Sequence, residues 1–283
     1  MSARPAPTAR RIRVATELRR MRERAGMTAT EAARELGTSS GQLSNVETAR
    51  FGVSEDRVRA MARAYACSDP SFVDALAAMA IDRSRGWWEE YRNTLPKGLL
   101  DLAEFEHHSR GLRTAYTAHI PGLMQTADHA REVFRQVVPE LTPPEVEHRV
   151  SHRIKRQDVV YRRTPVDYSA VIHEAALRMQ FGGRATARRQ LEHLLEMSGR
   201  RHVTIRVIPF TTGAFPGSGQ SLAYGRGPVP QLDTVHLDQS HGPVLLDAEA
   251  QLARYRTLLD RMEAVALAPD ASRDFIHSIA HTL

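Results

Sequence analysis

At 283 residues, 42% of them apolar, the chain is too long for a lone binding module and too rich in core-forming side chains to be disordered, so two domains are expected. Its formal net charge of +6 is unevenly placed: residues 1–66 hold 13 arginines against 7 acidic side chains, whereas residues 67–283 hold 26 of each sign. No apolar run approaches the roughly 18 residues of a membrane span, and no apolar stretch follows the N-terminal arginines. Cys67 is the single cysteine, which excludes an internal disulfide and reads best as a small apolar packing residue. A reducing cytoplasm without membrane attachment is the expected setting. The 37 arginines against 2 lysines read as codon bias in a GC-rich genome.

In chain order, residues 1–11 read as a flexible arm carrying Pro5 and Pro7. Residues 12–24 form a first helix with Val14, Leu18 and Met21 on one face, stopped at Gly26. Two short helices follow, at about 29–36 and 40–48. Thr28 with Glu31 has the spacing of a capping box, and Ser39 with Gln42 repeats it. Gly37 lies between them, where the first must end. Two capped helices this close cross steeply, as in a helix-turn-helix, whose second helix lies in the DNA major groove. Ser54 opens a fourth helix and Asp69-Pro70 a fifth, which completes a helical domain over 12–80. Clustered positive charge at this end is what phosphate neutralisation needs.

The helix at 40–48 presents Ser40, Gly41, Gln42, Ser44 and Asn45 on its outer side, with Leu43 and Val46 inward. Amide side chains bridge two atoms of an adenine edge, and serine serves several bases. Ser39 reads as a cap. Gln42 is divided equally between base contact and capping, and Ser44 and Asn45 lean toward groove contact. From about Val14 to Tyr65 this region resembles the Xre/Cro-type helix-turn-helix family of phage and bacterial repressors. The matching residues are Arg22, Gly26, Met27-Thr28, Glu31-Ala32-Ala33, Gly37, Ser40 to Ser44 and Val46-Glu47. The resemblance implies that Arg22 pairs with Glu47 and ties the first helix to the third. It also implies that Thr28 and Arg50 touch phosphates. Two positions depart from the family: Ala29 stands where glutamine is usual, and Thr48-Ala49 replaces Asn-Gly. Ala49 takes a left-handed conformation less cheaply than glycine, so a differently shaped loop is expected there.

Residues 81–98 read as a linker containing Trp87, Trp88 and Tyr91. A helix at 99–109 follows, then a turn at Ile120–Thr126 that feeds a helix to about 137, and a long charged helix at 144–162 behind Pro143-Pro144. Val166–His173 and Val203–Ile208 read as strands, with helices at 174–181 and 184–198. Residues 211–219 form a Gly/Thr-rich loop. Ser221–Tyr224 and Leu232–Leu237 form a strand pair, and Val244–Leu246 an edge strand. Helices at 248–265 and 270–281 close the chain. The expected fold is α+β and mostly helical: a five-helix DNA-binding domain, then a larger helical domain at 99–283 containing a small mixed β-sheet.

The C-terminal part is similar to a large actinobacterial group of Xre-type regulators, sometimes called antitoxin-like. The pieces occur in family order: Trp87-Trp88-Glu89-x-Tyr91; Glu104 and Glu106; Ile120-Pro121-Gly122-Leu123-Met124-Gln125-Thr126; Arg153-x-x-Arg156-Gln157. His173-Glu174-Ala175-Ala176-Leu177-Arg178, Gln190-Leu191-x-x-Leu194 and Val207-Ile208-Pro209 complete the series. The resemblance implies a transcription regulator working with a small, separately encoded partner, and brings no catalytic residue. On their own residue types, Arg153, Arg156, Gln157, Glu174 and Arg178 form either a polar pocket for an anionic or polar ligand or an ion-pair network orienting the sheet. Trp87 and Trp88 either anchor a partner or pack internally.

No enzymatic signature stands out. His148/His152 and His277/His281 have metal-compatible spacing but lack a third ligand. The glycines near 213–219 lack the Lys-Ser/Thr of a phosphate loop. No cofactor or metal is expected. The expectation is a homodimeric, sequence-specific DNA-binding transcription regulator modulated through its C-terminal domain. The alternatives are an antitoxin-type protein that sequesters a small partner and, further off, a DNA-tethered enzyme.

Overall fold

Each of the first five helices opens on a side chain that accepts a hydrogen bond from the backbone N–H three residues on. The caps Thr8, Thr28, Ser39, Ser54 and Asp69 start α1 (Ala9–Arg24), α2 (Ala29–Glu35), α3 (Ser40–Glu47), α4 (Glu55–Ala64) and α5 (Pro70–Ile81). The first four end on a left-handed residue: Gly26 (φ +69°), Gly37 (+60°), Ala49 (+58°) and Ala66 (+52°). Ala49 therefore does take the conformation that its side chain disfavours. The loop after α3 keeps a glycine-like turn, contrary to the sequence expectation, at a conformational cost.

The computed structural model describes residues 7–82, 86–217, 219–239 and 242–283. Residues 1–6 of the expected arm and 83–85 of the expected linker lie outside them. Residues 9–11, expected in the arm, are helical because Thr8 caps α1 three residues earlier than the apolar pattern suggests. The chain divides into two units, one of residues up to Trp87 together with 228–232, the other of residues 88–227 and 233–283.

Unit one is helical around Leu18, Leu43, Val58, Met61 and Leu76. The remote segment 228–232 completes it. Leu232 is buried in this core, Arg13 Nη2 donates to the Gln231 carbonyl (2.6 Å), and Gln231 Nε2 donates to Asp69 Oδ2 (2.7 Å). Nothing in the local sequence marked those five residues as part of the N-terminal unit.

A 3₁₀ turn at Trp87–Tyr91, all but its first residue in unit two, leads to α6 (Lys97–His108). Trp88, Tyr91 and Leu95 are buried, so part of the expected linker is packed structure. The six strands are β1 (Gly111–Tyr116), β2 (Asp167–His173), β3 (Val203–Ile208), β4 (Leu222–Arg226), β5 (Thr234–Leu237) and β6 (Val244–Leu246), ordered β3-β2-β1-β4-β5-β6. β1 and β3 run parallel to β2, whereas β4, β5 and β6 pair antiparallel, a mixed sheet as expected. The central strand β1 was not expected. Its apolar and polar positions do not alternate, because helices cover both faces.

The connection from β1 to β2 carries α7 (Ala127–Phe134), α8 (Pro143–Arg156) and α9 (Asp158–Tyr161); that from β2 to β3 carries α10 (Glu174–Arg178) and α11 (Gly183–Ser198). The expected single helix at 144–162 is thus two, broken at Gln157. Closing helices α12 (Glu249–Val265) and α13 (Pro269–Thr282) take opposite faces of the sheet. Ile276 and Ile279 of α13 pack with Leu191 and Leu194 of α11 over Leu112, Ile172 and Ile205. Leu252, Leu259 and Met262 of α12 pack over Ala115, Tyr224 and Val235. No helix among the described residues is long and apolar enough to cross a membrane.

Candidate functional site

The outward edge of α3 is polar and open. Ser39, Ser40, Gly41, Gln42 and Ser44 are exposed and Asn45 is half-buried, while Leu43 fills the core behind them. A side chain built at Gly41 would meet no neighbouring atom within 4 Å, so the front of the helix offers clear approach. Ser39 accepts from the Gln42 amide (3.2 Å), but Gln42 does not reach back to close the box. Its Oε1 instead accepts from the Thr38 hydroxyl (2.5 Å), which leaves the NH₂ group of this exposed side chain without a hydrogen bond among the described residues. The Asn45 side chain makes no hydrogen bond among the described residues. Both amides therefore have donors to spare, the requirement for reading a base edge.

Arg22 holds this edge from behind. Its Nε and Nη2 donate to the two Glu47 oxygens at 2.7 and 2.8 Å, and Nη1 donates to the Met27 carbonyl (2.8 Å). Both side chains are nearly buried, and the hydrogen bond to Glu47 raises the Arg22 pKa above its ordinary value. One guanidinium thus ties α1 to the end of α3 and to the turn before α2. Thr28 closes a full capping box: its hydroxyl accepts from the Glu31 amide, while its own N–H and hydroxyl both donate to Glu31 Oε2. Those donors are engaged by a carboxylate, which a phosphate would have to displace. Arg50 is exposed and makes no ion pair among the described residues; its carbonyl accepts from Arg11 (2.9 Å).

In unit two the turn at residues 120–126 is buried, and its carbonyls need donors. Three glutamines supply them. Nε2 of Gln125 donates to Ile120 O, that of Gln190 to Met124 O and that of Gln157 to Gln125 O, all at 2.6–2.7 Å. The Gln190 oxygen accepts from the Thr126 N–H (2.8 Å). Motif pieces far apart in sequence therefore meet at one place. Arg153 Nη1 donates to Gln125 Oε1 (2.6 Å), with its guanidinium 4.2 Å over the Phe134 ring. Arg156 is buried and pairs with both oxygens of Glu106 at 2.7 and 2.5 Å.

Glu174 and Arg178 do not join this cluster. Glu174 accepts from Arg178 Nε (2.6 Å) and from the Phe210 N–H (2.7 Å), fastening the end of β2 to the loop after β3. The five-residue pocket expected from sequence is thus two separate arrangements. Trp88 is 3% exposed and lies edge-on to His107, which makes it a packing residue of unit two; Trp87 is half-buried. Two residues beside Arg153, Tyr116 and His129, had no sequence signal, the first because β1 itself was not recognised. Among the described residues no three His, Cys, Asp or Glu side chains converge as metal ligands would.

A family model described as a helix-turn-helix domain matches residues 13–76, and the model described as Domain of unknown function (DUF5753) matches residues 99–278. No curated protein matches the chain, and neither does any solved structure. The first match covers α1 to α5 and makes the chain a helix-turn-helix DNA-binding regulator. The second spans most of the sequence, and the chain belongs to the DUF5753 family, with a helix-turn-helix domain ahead of the family region.

Proposed function

We propose that α3 reads duplex sequence through Gln42 and Asn45, assisted by Ser40 and Ser44, while Arg50 fixes the register on phosphate. Unit two modulates that binding, and the active form is a homodimer. One recognition helix covers only a few base pairs, so two half-sites about one helical turn apart supply the required specificity. The observation carrying this reading is the pair of outward amides on α3, one oriented by Thr38 and the other unengaged by the fold. In this reading the chain is a regulator and not an enzyme.

The test is the double variant Gln42→Ala with Asn45→Ala, titrated on a selected cognate duplex and on a random one. Cognate affinity should fall by roughly 1–3 kcal/mol per lost bidentate contact, with the random duplex and the melting temperature little changed. An equal loss on both duplexes would contradict base readout.

A second reading follows the antitoxin resemblance, with unit two sequestering a small partner. Phe210 (54% exposed) and Met179 (41%) favour it, as large apolar side chains on the surface near the ends of β3 and α10. Co-purification with the product of a neighbouring short reading frame, lost in Phe210→Ser, would support it.

A further inference from the structure

Arg156 is neutralised by Glu106, but its neighbour Arg153 has no carboxylate within ion-pair distance among the described residues. Its hydrogen bond goes to a neutral amide, one face lies on Phe134, and its buried Nε has no acceptor. Gly122 approaches both guanidinia from the turn, and a Cβ there would sit 3.6 Å from Arg153 Nε. Around Arg153 stand further polar groups that the fold leaves unused. The Tyr116 hydroxyl, at the carboxyl end of β1, makes no hydrogen bond among the described residues and is half-buried. His129 is 1% exposed and neither ring nitrogen has a partner. His129 and His119 flank the Phe181 ring, each at 5.4 Å between centroids. His119 and Asp238 are exposed.

The electrostatics place these groups within one another's reach. Arg153 keeps solvent contact, yet burial, reinforced by the Arg156 charge, draws its pKa down to about 9. Burial also raises Tyr116 to about 12, within reach of the Arg156, Glu106, Asp238 and Arg153 charges. It lowers His129 to about 4, with Arg153 adding to the effect. At neutral pH the cluster therefore holds one cation without an ion-pair partner among the described residues, a phenol donor and neutral imidazoles.

We propose that these groups bind a small organic monocarboxylate, its oxygens held by Arg153 and Tyr116 and its apolar body lying toward Phe181. A single positive charge without an ion-pair partner matches a monoanion, and the nearby Asp238 charge disfavours a phosphate dianion. The aromatic wall favours a ligand with an apolar portion. This inference rests on the reading of unit two as the part that modulates DNA binding, and names the ligand class through which it acts.

The test uses the full chain, with benzoate and phenylacetate as probes, benzamide as the uncharged isostere and inorganic phosphate as the dianion. Calorimetry should show one site for a carboxylate, with benzamide and phosphate at least about tenfold weaker. Arg153→Met should weaken carboxylate binding by about tenfold or more, and Tyr116→Phe by about three- to tenfold. Tyr116→Phe removes a hydroxyl with no protein partner, so it should fold normally even if Arg153→Met does not. Failure of both carboxylates to bind, or unchanged affinity in Tyr116→Phe and in a folded Arg153→Met, overturns the site. Parallel titration of a cognate duplex separates the two ideas. A carboxylate that binds without altering DNA affinity upholds the site and removes the modulation reading; no carboxylate binding with DNA recognition intact removes the site alone.

Discussion

Ala66 and Ala49 occupy positions where the backbone favours glycine, and they differ in what their methyl groups do. Ala49 is buried, whereas Ala66 is exposed at φ +52°. Ala66→Gly should relieve left-handed strain without opening a cavity, raising unfolding stability by about 0.5–1 kcal/mol in a urea titration. Arg22 and Glu47 present the opposite case. Their side chains are 10% and 6% exposed, so truncating either leaves a buried charge unpaired. Glu47→Ala should cost about 3–5 kcal/mol in unit one, read by hydrogen exchange of the α1 and α3 amides. DNA binding would then be lost through unfolding on random and cognate duplexes together, a pattern distinct from that of Gln42→Ala.

In the proposed reading, α3 and the residue after it make two kinds of contact that a binding titration can resolve. Gln42 and Asn45 present neutral amides, whereas Arg50, just beyond the helix, presents a charge with no carboxylate partner among the described residues. Arg50→Ala should weaken binding to all duplexes alike and reduce the slope of log K against log salt by about 1. In unit two the 120–126 turn depends on donors from outside itself. Gln190→Leu would leave the Met124 carbonyl and the Thr126 N–H without their side-chain partner in a buried setting. A loss of about 1–3 kcal/mol per orphaned group is expected from thermal melting. Gln125, Gln157 and Gln190 come from three separate stretches of the chain, and each donates to a carbonyl of this turn.

Charge is divided between the two units in a way that has a pH signature. All thirteen histidines lie between residues 107 and 281, none of them in unit one. Burial lowers His129 and His236 to about 4 and His152 to about 3, with nearby arginines adding to the effect. A folded-state pKa below the unfolded value of 6.5 means that the fold prefers the neutral ring. That stabilisation is complete above pH 6.5 and is lost as the pH falls toward 4. Each histidine then contributes a slope of about 1.4 kcal/mol per pH unit. At pH 5 the combined loss, on the order of 6 kcal/mol, is comparable to the stability of a typical domain. Hydrogen exchange should show the β2 amides losing protection on acidification from pH 6.5, with α3 lacking this histidine-driven loss. His129→Leu should flatten the dependence by one proton.

Local chemistry was enough to place most elements. Caps at Thr28, Ser39, Ser54 and Asp69, glycines at 26 and 37, and apolar spacing identify α2 to α5, because those signals act within a few residues. Contacts between distant segments were another matter. Residues 228–232 join unit one through Gln231 and Leu232, β1 pairs centrally without an alternating pattern, and Glu174 turns to Phe210 instead of the Arg153 cluster. A polar side chain advertises its donors in sequence but not its partner. Which carboxylate neutralises Arg156, and the lack of a described one at ion-pair distance from Arg153, depends on how helices and strands remote in the chain pack together.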